Sequence, residues 1–88
     1  MTNLLTTSDN ASSSAVSPQD SRARVIVAYG TFGGGTLTLE YSVDGSNYES
    51  SGKTLTATGS IEFREQPGVL WRVTLSGPTA GSVTADYA

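Results

Sequence analysis

The sequence predicts an all-β protein: a small antiparallel β-sandwich or barrel of about seven strands, preceded by an extended N-terminal arm. Three observations predict it. In residues 36–43, Leu37, Leu39, Tyr41 and Val43 alternate with Thr36, Thr38, Glu40 and Ser42. That is the period of a half-buried strand, whose successive side chains point to opposite faces. Turn residues punctuate the chain after residue 21 at roughly the eight-to-twelve-residue spacing of a sandwich. No segment repeats its apolar residues at the 3.6 spacing of a helix.

Eighty-eight residues make one domain, divided here into an arm, residues 1–21, and a sandwich, residues 22–88. A core of that size is marginal, because apolar burial and chain entropy nearly cancel in so small a domain. The chain has no Cys and no His. Disulfides and thiolate metal sites are therefore excluded, along with the commonest general base. Support from copies of the same chain or from another protein is the remaining expectation. The formal charge is −3, and the five cations, Arg22, Arg24, Lys53, Arg64 and Arg72, are scattered. A nucleic-acid surface needs a basic patch, so no nucleic-acid partner is expected. No apolar run approaches a membrane span and no signal peptide is legible, so a soluble chain without a membrane partner is expected.

In chain order, thirteen of the first 21 residues are Ser, Thr, Asn or Asp, and Pro18 interrupts any helix. Such a segment is extended or disordered when alone. Leu4, Leu5 and Val16 are its apolar points, and they are the expected anchors if it adds as a strand to a neighbouring protein. Residues 22–29 form the first strand, with Val25, Val27 and Tyr29 on one side and Arg24, Ile26 and Ala28 on the other; Ile26 hints at cover on both sides. Residues 30–35 hold four glycines around Phe32, a loop in which Phe32 either pins to the core rim or lies at an interface. Residues 36–42 and 47–50 form a hairpin about Asp44-Gly45, with Tyr48 on the return. Ser51-Gly52 then turns the chain into residues 53–58, where Leu55 and Ala57 point in and Thr54, Thr56 and Thr58 point out. Residues 60–65 place Ile61 and Phe63 inside, Glu62 and Arg64 outside. Gln66-Pro67-Gly68 is a turn. Residues 69–76 follow, with Val69, Trp71, Val73 and Leu75 inward and Trp71 at the centre of the core. A loop at 77–81 leads to residues 82–87, carrying Val83, Ala85 and Tyr87.

Little of this carries chemistry. A phosphate-binding reading of the glycine-rich loop needs a helix N-terminus after it, and a strand follows instead. Glycoside hydrolysis needs two carboxylates held across a cleft, whereas Glu40 and Glu62 fall on outer faces. Asp44 is a turn residue whose side chain bonds backbone amides. Asp44, Asn47 and Glu49 offer three oxygens toward calcium without a recognised loop pattern. No serine has a His, and Lys53 stands in no Ser-x-x-Lys arrangement. No catalytic, cofactor or metal residue is expected. Tyr48, Phe32 and Trp71 are the rings available for a sugar platform, and alternation places Trp71 and Tyr48 in the core. Phe32, Thr54 and Thr56 are the expected interface residues of the folded part.

The stretch GTFGGGTLTLEYSVDGSNYES, together with PGVLWRVTLSGPTAGSVTADYA, resembles small β-sandwich virion proteins of tailed bacteriophages. The likeness covers residues 24–88 and lies in a glycine-rich turn, a Ser-x-Asp-Gly turn with an aromatic after it, and a strand–Ser-Gly–strand finish. Residues 42–48 also look like a relaxed Asp-box that lacks the second Gly and the Trp. The resemblance implies a non-enzymatic structural role: capsid decoration or cement, head fibre, or tail component. It implies the major capsid protein or another virion protein as partner, a symmetric homo-oligomer such as a trimer, and a place on the virion surface after synthesis in the host cytoplasm.

Overall fold

A computed structural model describes residues 2–7, 9–77 and 82–88. It contains eight strands: β1 (Thr2–Thr7), β2 (Ala11–Ser12), β3 (Arg22–Gly30), β4 (Thr36–Ser42), β5 (Glu49–Leu55), β6 (Gly59–Glu65), β7 (Leu70–Ser76) and β8 (Val83–Tyr87). Two four-stranded sheets face each other, sheet A in the order β1-β8-β3-β6 and sheet B in the order β2-β7-β4-β5. Every pairing is antiparallel. The partners run β1 with β8, β2 with β7, β3 with β6 and β4 with β5. This is one long double strand with its tip between β4 and β5, wound until β3 also meets β8 and β4 meets β7. That order is a jelly roll, a double-sheet sandwich built from two Greek keys. Only β4 and β5 are neighbours both in sequence and in one sheet.

The alternation that predicts the strands also selects the core. Leu37 and Leu39 from β4, Val73 and Leu75 from β7, Ile26 and Ala28 from β3 and Ala85 from β8 have no exposed surface. Trp71 is 1% exposed and lies within the core, as expected. It meets Phe63 edge-on at 4.9 Å and Tyr87 edge-on at 5.2 Å between ring centroids, a favoured geometry because the positive ring edge meets the negative face. On β3, Ile26 and Ala28 are the core residues, and Val25, Val27 and Tyr29 face outward.

The boundary expected at Arg22 does not separate arm from fold. Residues 2–7 extend sheet A against β8, and Ala11 and Ser12 extend sheet B against β7. Val16 then exchanges both backbone hydrogen bonds with Trp71, at 2.8 and 3.1 Å. The polar composition misled because an edge strand with a wet outer face carries the same Thr, Ser and Asn as an extended tail. A bulge between Asn3 and Leu5 lets adjacent Leu4 and Leu5 break the period of two.

Three smaller expectations also change. Residues 47–50 and 53–58 are not two strands: β5 runs through Ser51-Gly52, with Gly52 at φ 85. That merger, with two strands from the N-terminal segment, turns seven into eight. The β4–β5 connection spans residues 43–48 rather than a tight turn, and Val43 stands beyond the strand, 80% exposed. Residues 78–81 of the expected loop lie outside the described residues. Where β3 passes β8, Gly30 has φ 121, and a Cβ there would overlap the Ser82 carbonyl oxygen, so only glycine fits.

Two outcomes follow from this packing. Trp71→Ala leaves a cavity between the sheets and should cost about 3–5 kcal/mol, read by urea denaturation; an unchanged midpoint would contradict the placement. Removal of residues 1–16 strips β7 and β8 of their edge partners, β2 and β1, and leaves each paired on one side only. Near-ultraviolet circular dichroism should then report loss of fixed aromatic packing, and a native spectrum would show the segment to be dispensable.

Candidate functional site

The residues singled out for binding are dispersed by the fold. Leu5 lies in the core at 9% exposure, with Leu4 and Val16 half-buried against it. Their apolar surface is occupied by the chain's own sandwich rather than held out for a partner. Phe32 is 5% exposed, pinned inward by a turn in which the Gly35 amide donates to the Phe32 carbonyl at 2.8 Å. It is a core residue of the glycine loop, not an interface residue. Thr54 and Thr56 are exposed. Thr54 lines a polar groove of about 330 Å³ at the β5–β6 corner, with Lys53, Ser60 and Glu62.

The most organised surface is the outer face of sheet B. Register aligns Ser12, Thr74, Thr38 and Thr54 across its four strands. Glu40 Oε1 accepts from Arg72 Nε at 2.8 Å and from Thr74 Oγ1 at 2.7 Å. The Ser12 and Thr74 hydroxyls share a hydrogen bond at 2.9 Å. Partial burial raises the Glu40 pKa, but the bonds from Thr74 and Arg72 and the Arg72 charge outweigh it, leaving the carboxyl below its ordinary range. The Arg72 guanidinium stands 3.8 Å from the Tyr48 ring centroid, a cation–π contact that covers one face of the ring. Tyr48 is therefore not an open platform for a sugar. Glu40 is held as a hydrogen-bond acceptor, with no second carboxylate beside it.

Asp44 organises the turn beyond β4. Its Oδ1 accepts from the Asn47 and Ser46 amides, each at 2.8 Å, and its Oδ2 from Asn47 Nδ2 at 2.8 Å. Those bonds, the Asn47 amide first, hold its carboxyl far below the usual range. With the Asp44 oxygens so engaged, the Asp44–Asn47–Glu49 set is a structural corner. Among the described residues no three Asp or Glu side chains are grouped to hold a metal ion.

The charged residue that sequence reasoning passed over is Glu65. It is 2% exposed, and it accepts from Arg24 Nε at 2.8 Å and from Trp71 Nε1 at 2.8 Å. Parity was the available signal, since Ile61, Phe63 and Glu65 share one face of β6. On the outer face of sheet A, Tyr29 donates to Asp86 at 3.2 Å and Asn3 Nδ2 donates to the same carboxylate at 3.0 Å. The Asp86 bond and charge raise the Tyr29 pKa.

Protein-family models, curated protein sequences and solved structures gave no match to this chain. The geometry on sheet B is a face on which Ser12, Thr74, Glu40 and Arg72 are hydrogen-bonded to one another above an apolar core.

The Glu40 arrangement sets a pH response. A carboxyl held below its unfolded value of 4.5 contributes stability above that pH and loses it as pH falls through the folded value. Wild type should lose stability below about pH 4.5, whereas Glu40→Gln should lose less there and start less stable at pH 7. Thermal melts of both proteins across pH 3–7 read this directly, and parallel curves would exclude Glu40 as a contributor.

Proposed function

We propose that this chain is a non-enzymatic structural protein of a tailed-bacteriophage virion, a head decoration or cement protein bound to the outside of the capsid. The observation that carries the reading is the resemblance of residues 24–88, now joined to a jelly-roll strand order. Jelly rolls recur in viral capsid and lectin domains, an analogy of fold that raises the reading without fixing it. The satisfied, weakly charged outer face of sheet B also supports it, because it suits a persistent, many-copy contact in which each weak site is multiplied by the shell's symmetry. The partner in this reading is the major capsid protein, met through the sandwich and its N-terminal segment. That segment is laced into both sheets, so deleting it tests folding rather than binding. The exposed corner at Thr54 and Thr56 is the better probe. A tail or fibre component is the alternative within the same class. A carbohydrate-binding module has less to stand on, since Phe32 is buried and Tyr48 is capped.

The test is co-sedimentation of the purified chain with capsids, and separately with tails, that lack it. Saturable binding to capsids, weakened by Thr54→Lys or Thr56→Lys, is expected. Binding to tails alone moves the protein to the alternative, and binding to neither overturns the proposal.

A further inference from the structure

The outer face of sheet A differs from that of sheet B: its central strand β3 presents Ala23, Val25, Val27 and Tyr29 outward, and Tyr29 is 46% exposed. At the β6 side of this row lies an open groove of about 490 Å³. Its middle is the register pair Arg24 and Phe63, whose side chains turn inward to Glu65 and Trp71; Ala23 stands opposite Arg64 and Val25 opposite Glu62. Glu62 and Arg64 are exposed, and among the described residues neither makes an ion pair or side-chain hydrogen bond. Arg24 and Arg72, in contrast, both have carboxylate partners.

We infer that two copies of this chain pair face to face over this groove, about a two-fold axis lying across the strands at the Arg24–Phe63 pair. The groove is self-complementary about that pair. On β6, Glu62 and Arg64 lie one residue to either side of Phe63, and on β3, Ala23 and Val25 lie one residue to either side of Arg24. Same-face neighbours on a strand are about 6.7 Å apart, so the axis brings Glu62 of one copy over Arg64 of the other, and the reverse. Ala23 meets Val25 in the same way. An isologous contact of this kind makes the Glu62–Arg64 pair twice, once on each side of the axis, and closes at the dimer. A partner of single-sign charge would match one of the two residues and oppose the other. A second copy supplies both in the required order, and it covers Ala23 and Val25. This pairing does not depend on the virion reading, because it is measured with the purified chain alone.

Sedimentation equilibrium from micromolar to millimolar protein is the test. Wild type should dimerise, with a dissociation constant that rises with salt, as for exposed ion pairs. Glu62→Arg places Arg over Arg, and Arg64→Glu places Glu over Glu; each should weaken dimerisation at least about tenfold, because like charges across an interface are strongly unfavourable. An equimolar mixture of the two variants should dimerise again, as should the Glu62→Arg, Arg64→Glu double variant. Both positions are exposed, and thermal melts check that the variants fold. A wild type that stays monomeric, a salt-independent dimer, single variants that dimerise like wild type, or a mixture no tighter than its components each overturns the inference.

Discussion

The Glu65 carboxylate holds this molecule together at its most demanding point. It is buried between the sheets, where an unpaired charge would be costly. One oxygen accepts the Arg24 Nε–H from within sheet A, and the other accepts the Trp71 indole N–H from sheet B. The largest side chain of the core is thereby oriented by a bond as well as by packing. Trp71 sets the positions of Phe63 and Tyr87 through edge-on contacts. Its backbone receives the N-terminal segment at Val16. Arg24 also lies over the Tyr87 ring at 5.3 Å, so the last strand joins the same node. A chain without Cys relies on this convergence where other small domains use a covalent staple.

The jelly-roll winding explains why the N-terminal residues are part of the fold. In this order the first strand pairs with the last and the second with the second-last. Without residues 2–16, β7 and β8 would become bare edges with rows of unpaired backbone groups. The pairings that close the fold are the longest in sequence, so loop-closure entropy falls on them most heavily. The β4–β5 hairpin at the tip is the local exception, and Asp44 stiffens its connection by capping two amides.

The two outer faces divide the work. Sheet B consumes its own polar groups: Glu40 holds Arg72 and Thr74, and Arg72 covers Tyr48. Such a face is complete in water and suits a light, repeated contact. Sheet A keeps an apolar row on β3 beside unpaired Glu62 and Arg64, and it is there that self-association has most to gain. One small domain thus carries different chemistry on its two sides.

The amino-acid order alone determined the β class, most strand positions and much of the core. Period-two patterning is a local property, and Leu37, Leu39, Trp71, Val73 and Leu75 carry it plainly. It also held an unread signal for Glu65, whose parity with Ile61 and Phe63 matches its burial. What only the tertiary structure decided was pairing. Whether Thr2–Thr7 is a tail or an edge strand depends on whether β8 offers a free edge, and no local composition encodes that. Whether Ser51-Gly52 turns or continues depends on β4 lying alongside it. Phe32 was equally ambiguous, because a glycine loop can aim a ring inward or outward until the sheets beneath it are set. The candidate surfaces were the least legible for the same reason: Arg72 over Tyr48, and Glu62 and Arg64 beside Val25 and Ala23, are products of register between distant strands.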